Sequence, residues 1–293
     1  MNYYENIKTE ILNNEITKKV KDYSKNKSDL TTYYNVGKLL SEAGKHYGEG
    51  IIKEYSERLT KELNKKYSVS TLRYMRQFYE NGIHQAVPGE LTWSHYIELL
   101  PLKDINKIKY YIDITIKNNL STRQLRERIK NKEYERLDEK TKYKLIKHEE
   151  TKVDDFVKNP IIIKNNLNYE VISEKALQKM ILEDIPAFLS ELGSGFTFIR
   201  NEYPIKIGNN YNYIDLLLYN YEFNCFVVVE LKVTDLKKDH IGQIEVYMNY
   251  IDKNLKNITQ DKTIGIILCK KDNKFIMEYC SDERIKVRRY QLL

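Results

Sequence analysis

Three polar residues sit where strand interiors call for apolar ones. Asp215 interrupts the run Ile214, Leu216, Leu217, Leu218, and Glu230 and Lys232 bracket Leu231 at the end of Phe226-Val227-Val228-Val229. Side chains alternate along a strand, so Glu230 and Lys232 point to one face. Unpaired charge among apolar side chains is costly, so these groups need one another, water or a metal. Asp215 and Glu230 on neighbouring strands offer oxygens to Mg2+ or Mn2+, hard cations that take one or two carboxylates and keep several waters. The carbonyl of Leu231 is a further candidate ligand. Lys232 beside them could orient or deprotonate an attacking water, or stabilise charge on a phosphate. The competing reading is a buried salt bridge, because Glu-x-Lys alone is common. An Asp in the preceding apolar strand, across a short turn at 220–224, favours the metal site.

The elements that position this trio follow from periodicity. Residues 174–192 read as a helix with Leu177, Met180, Ile181, Ile185, Phe188 and Leu192 inside, and Pro186 marks a bend or a second start. Short β-branched and aromatic segments follow at 196–199, 203–207, 213–219 and 225–231. Next come a helix over 241–255 and strands at 264–269 and 274–280. That order predicts an α/β domain with a mixed sheet flanked by helices. Gln243 and Tyr247, four apart, share a helix face beside the apolar stripe Ile241, Ile244, Met248 and Ile251.

Residues 1–140 read as helical, with few glycines and prolines and apolar stripes such as Val36-Leu39-Leu40-Ala43 and Leu72-Met75-Phe78. Residues 141–168 are dense in charge and read as a linker, which leaves 169–293 as the second domain. Arg73, Arg76 and Gln77 lie on one side of a helix and suit phosphate and base contacts. Arg123 and Arg126 belong to a second basic run. Acidic residues interleave with both, so solvated helix faces are the alternative. Trp93 and His95 read as core and capping residues.

The chain has 293 residues, a net charge of +7 and three cysteines, none in a CxxC pair. The basic balance is compatible with a polyanionic partner. The cysteines read as reduced core residues, and neither a disulfide frame nor a zinc site is expected. No apolar run approaches the roughly 20 residues that span a membrane. The first residues hold no apolar signal core, so a cytoplasmic protein is expected. No Walker loop or HExxH is present, which removes two common hydrolase classes.

Longer motifs carry a resemblance. YYNVGKLLSE, LRYMRQFYE, LTWSHYIELL and LSTRQLRERIKNKEYERL in the first half, and FLSELGSGFTFI, YIDLLLY, CFVVVELK and GQIEVYMNYID in the second, resemble the YhcG-type PDDEXK nuclease family, the domain-of-unknown-function 1016 group. The resemblance covers about residues 30 to 290. It implies a restriction-endonuclease-like PD-(D/E)XK core behind a helical, winged-helix-like N-terminal domain. It also implies a metal-dependent nuclease acting on DNA, with a homodimer expected because duplex cutting needs two active sites. The family's strand Asp falls on Asp215, its E-x-K on Glu230 and Lys232, and its Gln on Gln243. The Gln243–Tyr247 face resembles that of exonuclease-like members, where it lines the site. The family's helix acid falls on Gln178, a departure that Glu174, one turn earlier, could make good; Glu183 is less well placed. That departure keeps open a second reading, a DNA- or protein-binding module with a weakened nuclease fold.

Overall fold

A computed structural model describes residues 2–20, 25–48, 50–82, 91–166, 169, 172–278, 280 and 282–293. The chain divides into two compact units, Met1–Tyr134 and Glu135–Leu293.

The first unit is built from helices α1 (Tyr3–Val20), α2 (Lys25–Tyr47), α3 (Ile51–Glu62), α4 (Val69–Glu80), α5 (Trp93–Leu99), α6 (Ile105–Lys117) and α7 (Thr122–Lys130). Its core joins Ile7, Val36, Leu40, Ile52, Leu59, Leu72 and Met75. At Gly37, α2 and α4 come so close that a Cβ would lie 2.0 Å from the Met75 carbonyl oxygen. The helical expectation therefore holds for this unit. Its described residues contain no strand, so no β wing is found among them.

The second unit continues with α8 (Glu139–Lys147), β1 (Ile161–Ile163), α9 (Glu174–Glu183), α10 (Ile185–Leu192), β2 (Phe196–Ile207), β3 (Asn210–Asn220), β4 (Cys225–Leu231), α11 (Lys238–Asn254), β5 (Asp261–Cys269), α12 (Lys274–Glu278) and β6 (Ile285–Leu292). The six strands form one mixed sheet in the order β1-β6-β5-β4-β3-β2. β2, β3 and β4 are antiparallel neighbours, while β4, β5, β6 and β1 run parallel. β4 is buried along its whole length and β5 from Thr263 onward, as expected for central strands covered on both faces. One face packs Leu177, Met180 and Ile181 of α9 and Phe188 and Leu192 of α10; the other packs Ile244, Met248 and Ile251 of α11. α11 rides close on β5 because Gly265 has no side chain: a Cβ there would stand 2.5 Å from Met248 Sδ.

Two expectations change, and one open alternative is decided. The described part of 141–168 is not a linker: it carries most of α8, a 3-10 turn at 153–156 and β1, with Val157 and Ile161 fully buried. Some of its charged groups are engaged, not merely solvated: Lys144 Nζ meets Asp155 at 2.6 Å, and the buried Lys158 donates to the Ser190 carbonyl at 2.6 Å. Second, 274–280 is not a strand, since 274–278 is helical, and the last strand is β6. Third, Pro186 marks a second start: Asp184 caps α10 by accepting from the Ala187 N–H at 3.1 Å, and Pro186 sits in the first turn, where a missing N–H costs nothing.

Candidate active site

The ladder between β3 and β4 ends at Leu216 and Val229, and beyond it the two strands part. Asp215 and Glu230 are the first residues past this fork. Asp215 Oδ2 accepts from the Leu231 N–H at 2.7 Å, so a side chain satisfies a backbone donor that the β3 ladder no longer reaches. β3 also bends here. Ile214 and Leu217, three apart, pack into the same cluster under α11, which a two-residue period does not allow. The bend has a counterpart on β2. Pairs Asn201–Leu216 and Tyr203–Ile214 place Glu202 opposite Asp215, and Glu202 takes a left-handed backbone with φ of 46°.

Glu230 is 1% exposed and its Oε1 has no hydrogen-bond partner. Its Oε2 lies 3.4 Å from Lys232 Nζ, in keeping with the shared face of the pair. Burial, then the neighbouring charge of Asp215, pushes the Glu230 carboxyl up to about 8, against the pull of Lys232 and the Asp215 backbone N–H. Burial also raises Asp215, opposed by the Leu231 N–H and Lys232, with Glu174 and Glu202 adding to the rise. The site thus brings together more carboxyl groups than one lysine can pair.

α9 approaches the fork at its first turn, with Ser173 as N-cap accepting from the Ala176 N–H at 3.1 Å. Glu174, in that turn, sits 3.8 Å from Lys232 Nζ. Gln178, 8% exposed, donates from Nε2 to the Asp215 backbone carbonyl at 3.0 Å. The neutral residue therefore clamps the strand that carries Asp215, a bond a glutamate could not donate. Gln243 donates to the Tyr247 hydroxyl at 3.1 Å, and Tyr247 is buried among the apolar residues under α11. These two bond to each other along the helix.

Two residues near the site escaped the sequence reading. His240, in the first turn of α11, is held below its ordinary value by burial and then by the charges of Lys232 and Lys237. A capping pattern could have flagged it, since its Nδ1 accepts from the Lys237 N–H at 3.2 Å. Glu202 is the other; only the strand register exposes its position.

The basic residues of the first unit are partly committed. Gln77 donates from its amide to the Leu100 carbonyl at 2.8 Å. Arg126 makes a two-point bond to Glu98, at 3.0 and 2.7 Å. Arg76 lies 3.6 Å from Glu80 and Arg123 3.8 Å from Glu127. Arg73 is exposed. Trp93, partly buried, packs against Tyr33 and Phe78 at the edge of the core, and His95 bonds to Thr92 in a capping box.

Among the described residues, no group of three or more His, Cys, Asp or Glu side chains is placed to hold a metal ion. No described helix is long and apolar enough to cross a membrane. Of the cysteines, Cys225 and Cys269 are buried and all three are free thiols.

Among known proteins, YhcG of Escherichia coli (strain K12) is 26% identical over 283 residues, covering 81% of this chain and 76% of its own. Two solved structures, a repair endonuclease from Pyrococcus abyssi and an EndoMS–double-stranded DNA complex, are 22% and 20% identical, with TM-scores of 0.30 and 0.29. Each alignment covers 43% of this chain and 48% of the other, so the chain spans about half the length of those structures. Residues 6–136 match the DUF1016 N-terminal domain and residues 154–293 the YhcG PDDEXK nuclease domain. With both halves matched in order, the chain belongs to the YhcG-type PDDEXK nuclease family.

Proposed function

We propose that this chain is a divalent-metal-dependent nuclease that hydrolyses DNA phosphodiester bonds at the β3–β4 fork. One observation carries the reading: Glu230 is buried, has an oxygen with no partner, and neighbours the half-buried carboxylate of Asp215. A purely structural ion pair would leave no such oxygen, because an unsatisfied buried acceptor is costly. Asp215 and Glu230 would hold a divalent cation, whose charge would offset their repulsion and give the orphaned oxygen a partner. Two carboxylates completed by water and a backbone oxygen, such as that of Leu231, suit Mg2+ or Mn2+ and not a closed zinc site. When bound, the ion neutralises the phosphate and stabilises the charge that develops on it.

The chain's own residues supply the remainder. Lys232 Nζ, held between Glu230 and Glu174, orients the attacking water or donates to a phosphoryl oxygen. Gln178 holds Asp215 in place through the strand carbonyl. Gln243 and Tyr247 line the α11 side as a bonded pair. Arg73, Arg76 and Arg123 are the candidates for phosphate contact in the first unit, with Glu80 and Glu127 as the resting partners of Arg76 and Arg123.

The test is incubation of the purified chain with supercoiled plasmid and Mg2+ or Mn2+, beside Asp215→Ala and Lys232→Ala. Nicking by the wild type that both variants lose supports the proposal. A wild type that shifts DNA on a gel but neither nicks nor cuts it, with either ion, replaces it with a binding module on a weakened nuclease fold.

A further inference from the structure

β2 and β3 run on past the end of β4: residues 203–207 and 210–214 pair only with each other and turn at Gly208, whose φ is 62°. This two-stranded arm is anchored on one face. Ile205 and Ile214 are 1% and 0% exposed, packed under α11, and the Lys206 N–H donates to the Tyr250 hydroxyl at 3.4 Å. The opposite face is different. Tyr211 and Tyr213, two apart and so on one side of β3, are 64% and 56% exposed. Across the ladder from them stand Lys206 and Pro204, and the Lys206 ammonium lies 5.9 Å from the Tyr211 ring centre.

Exposed tyrosine rings on a rigid arm leave apolar faces in water, which points to a ligand that stacks. Residues two apart on a strand are about 6.8 Å apart. That is twice the roughly 3.4 Å spacing of stacked bases, so one base fits between two such rings. The cation beside Tyr211 suits the phosphate that accompanies a base. Tyr213 is also only two residues from Asp215. Resting on the nuclease reading above, we infer that the outward face of this arm, Tyr211 and Tyr213 with Lys206, stacks an unpaired nucleobase of the strand whose phosphate lies at Asp215. The substrate class is then single-stranded or locally opened DNA, since a paired base offers no free face to a side chain of this kind.

The test is binding of the full chain, in EDTA, to a fluorescent single-stranded oligonucleotide and to its blunt duplex. The variants are Tyr211→Ala, Tyr213→Ala and the corresponding Phe substitutions, with circular dichroism and thermal melting to confirm folding. Loss of one stacking ring should weaken single-strand binding about tenfold. The Phe variants should stay within about twofold of wild type, and duplex binding should change less than the single-strand value for every variant. Ala variants that bind the single strand as tightly as wild type overturn the inference, as does an equal loss on both DNA forms or a Phe loss as large as the Ala loss. Failure of the nuclease reading looks different: single-strand binding that depends on the tyrosines but no cleavage with any cation removes the enzyme and leaves the stacking arm.

Discussion

Replacing Glu230 with Gln should make the metal-free protein more stable while abolishing its cleavage. The folded Glu230 carboxyl titrates at about 8, against 4.5 for an ordinary glutamate, mainly because of burial. A folded value raised above the unfolded one contributes stability that is fully present below pH 4.5 and is lost as pH rises to about 8. At pH 7.5 the loss spans about three units at about 1.4 kcal/mol each, or roughly 4 kcal/mol. The amide of Glu230→Gln avoids this loss, and the value of about 8 already includes the pull of Lys232, which keeps Glu174 at 3.8 Å in the variant. The expected rise at pH 7.5 is therefore up to roughly 4 kcal/mol, equivalent to about 8–16 °C in melting temperature for a unit of this size. The assay is thermal unfolding of wild type and Glu230→Gln in EDTA between pH 5 and 9. The two curves should nearly coincide at pH 5, separate through pH 8, and run parallel above it. Added Mg2+ should raise the wild-type melting temperature and leave the variant's unchanged. A variant less stable than wild type at pH 8, or a difference that does not vary with pH, refutes the reasoning.

Three further outcomes follow from the same geometry. Lys232→Met should reduce plasmid nicking at least about a hundredfold while leaving DNA affinity in EDTA within about threefold, since it removes a charge that acts on the transition state and keeps the stem's packing; a rate within about tenfold of wild type would remove Lys232 from the chemistry. Gln178→Glu should lower stability by about 1–3 kcal/mol in chemical denaturation, because it replaces a donor to the Asp215 carbonyl with an acceptor beside a buried carboxylate. Gly265→Val should destabilise the second unit by about 1–3 kcal/mol, since its side chain must enter the space held by Met248 and Ile244; a melting temperature unchanged from wild type would mean α11 moves away freely.

The trio at the fork was legible because burial of charge leaves a mark in one dimension. Asp215, Glu230 and Lys232 interrupt apolar runs, and no surface pattern demands them there. What could not be read was how distant partners use the remaining polar groups. Residues 141–168 look solvated when scanned for charge, yet the flanking Arg136 bonds Glu191, Asp138 bonds Arg288, 150 positions away, and Lys158 bonds Ser190. Such pairs turn a charged stretch into the edge of a sheet, and sequence spacing carries no trace of them. The same limit applies to Gln77 and Arg126, whose side chains looked free for DNA until Leu100 and Glu98 were placed beside them.

Gln178 shows how far this matters for function. As a residue type, it reads as the loss of a helix acid and hence of catalytic strength. In place, it is the donor that holds the bent strand of Asp215, while Glu174 supplies a carboxylate to the Lys232 side and Glu202 stands across from Asp215 on β2. The negative charge that surrounds the fork is therefore drawn from α9, β2, β3 and β4 together. A neutral residue at one helix position is accompanied by acids on neighbouring elements, because the β2 register sets Glu202 opposite Asp215 and the first turn of α9 brings Glu174 to Lys232.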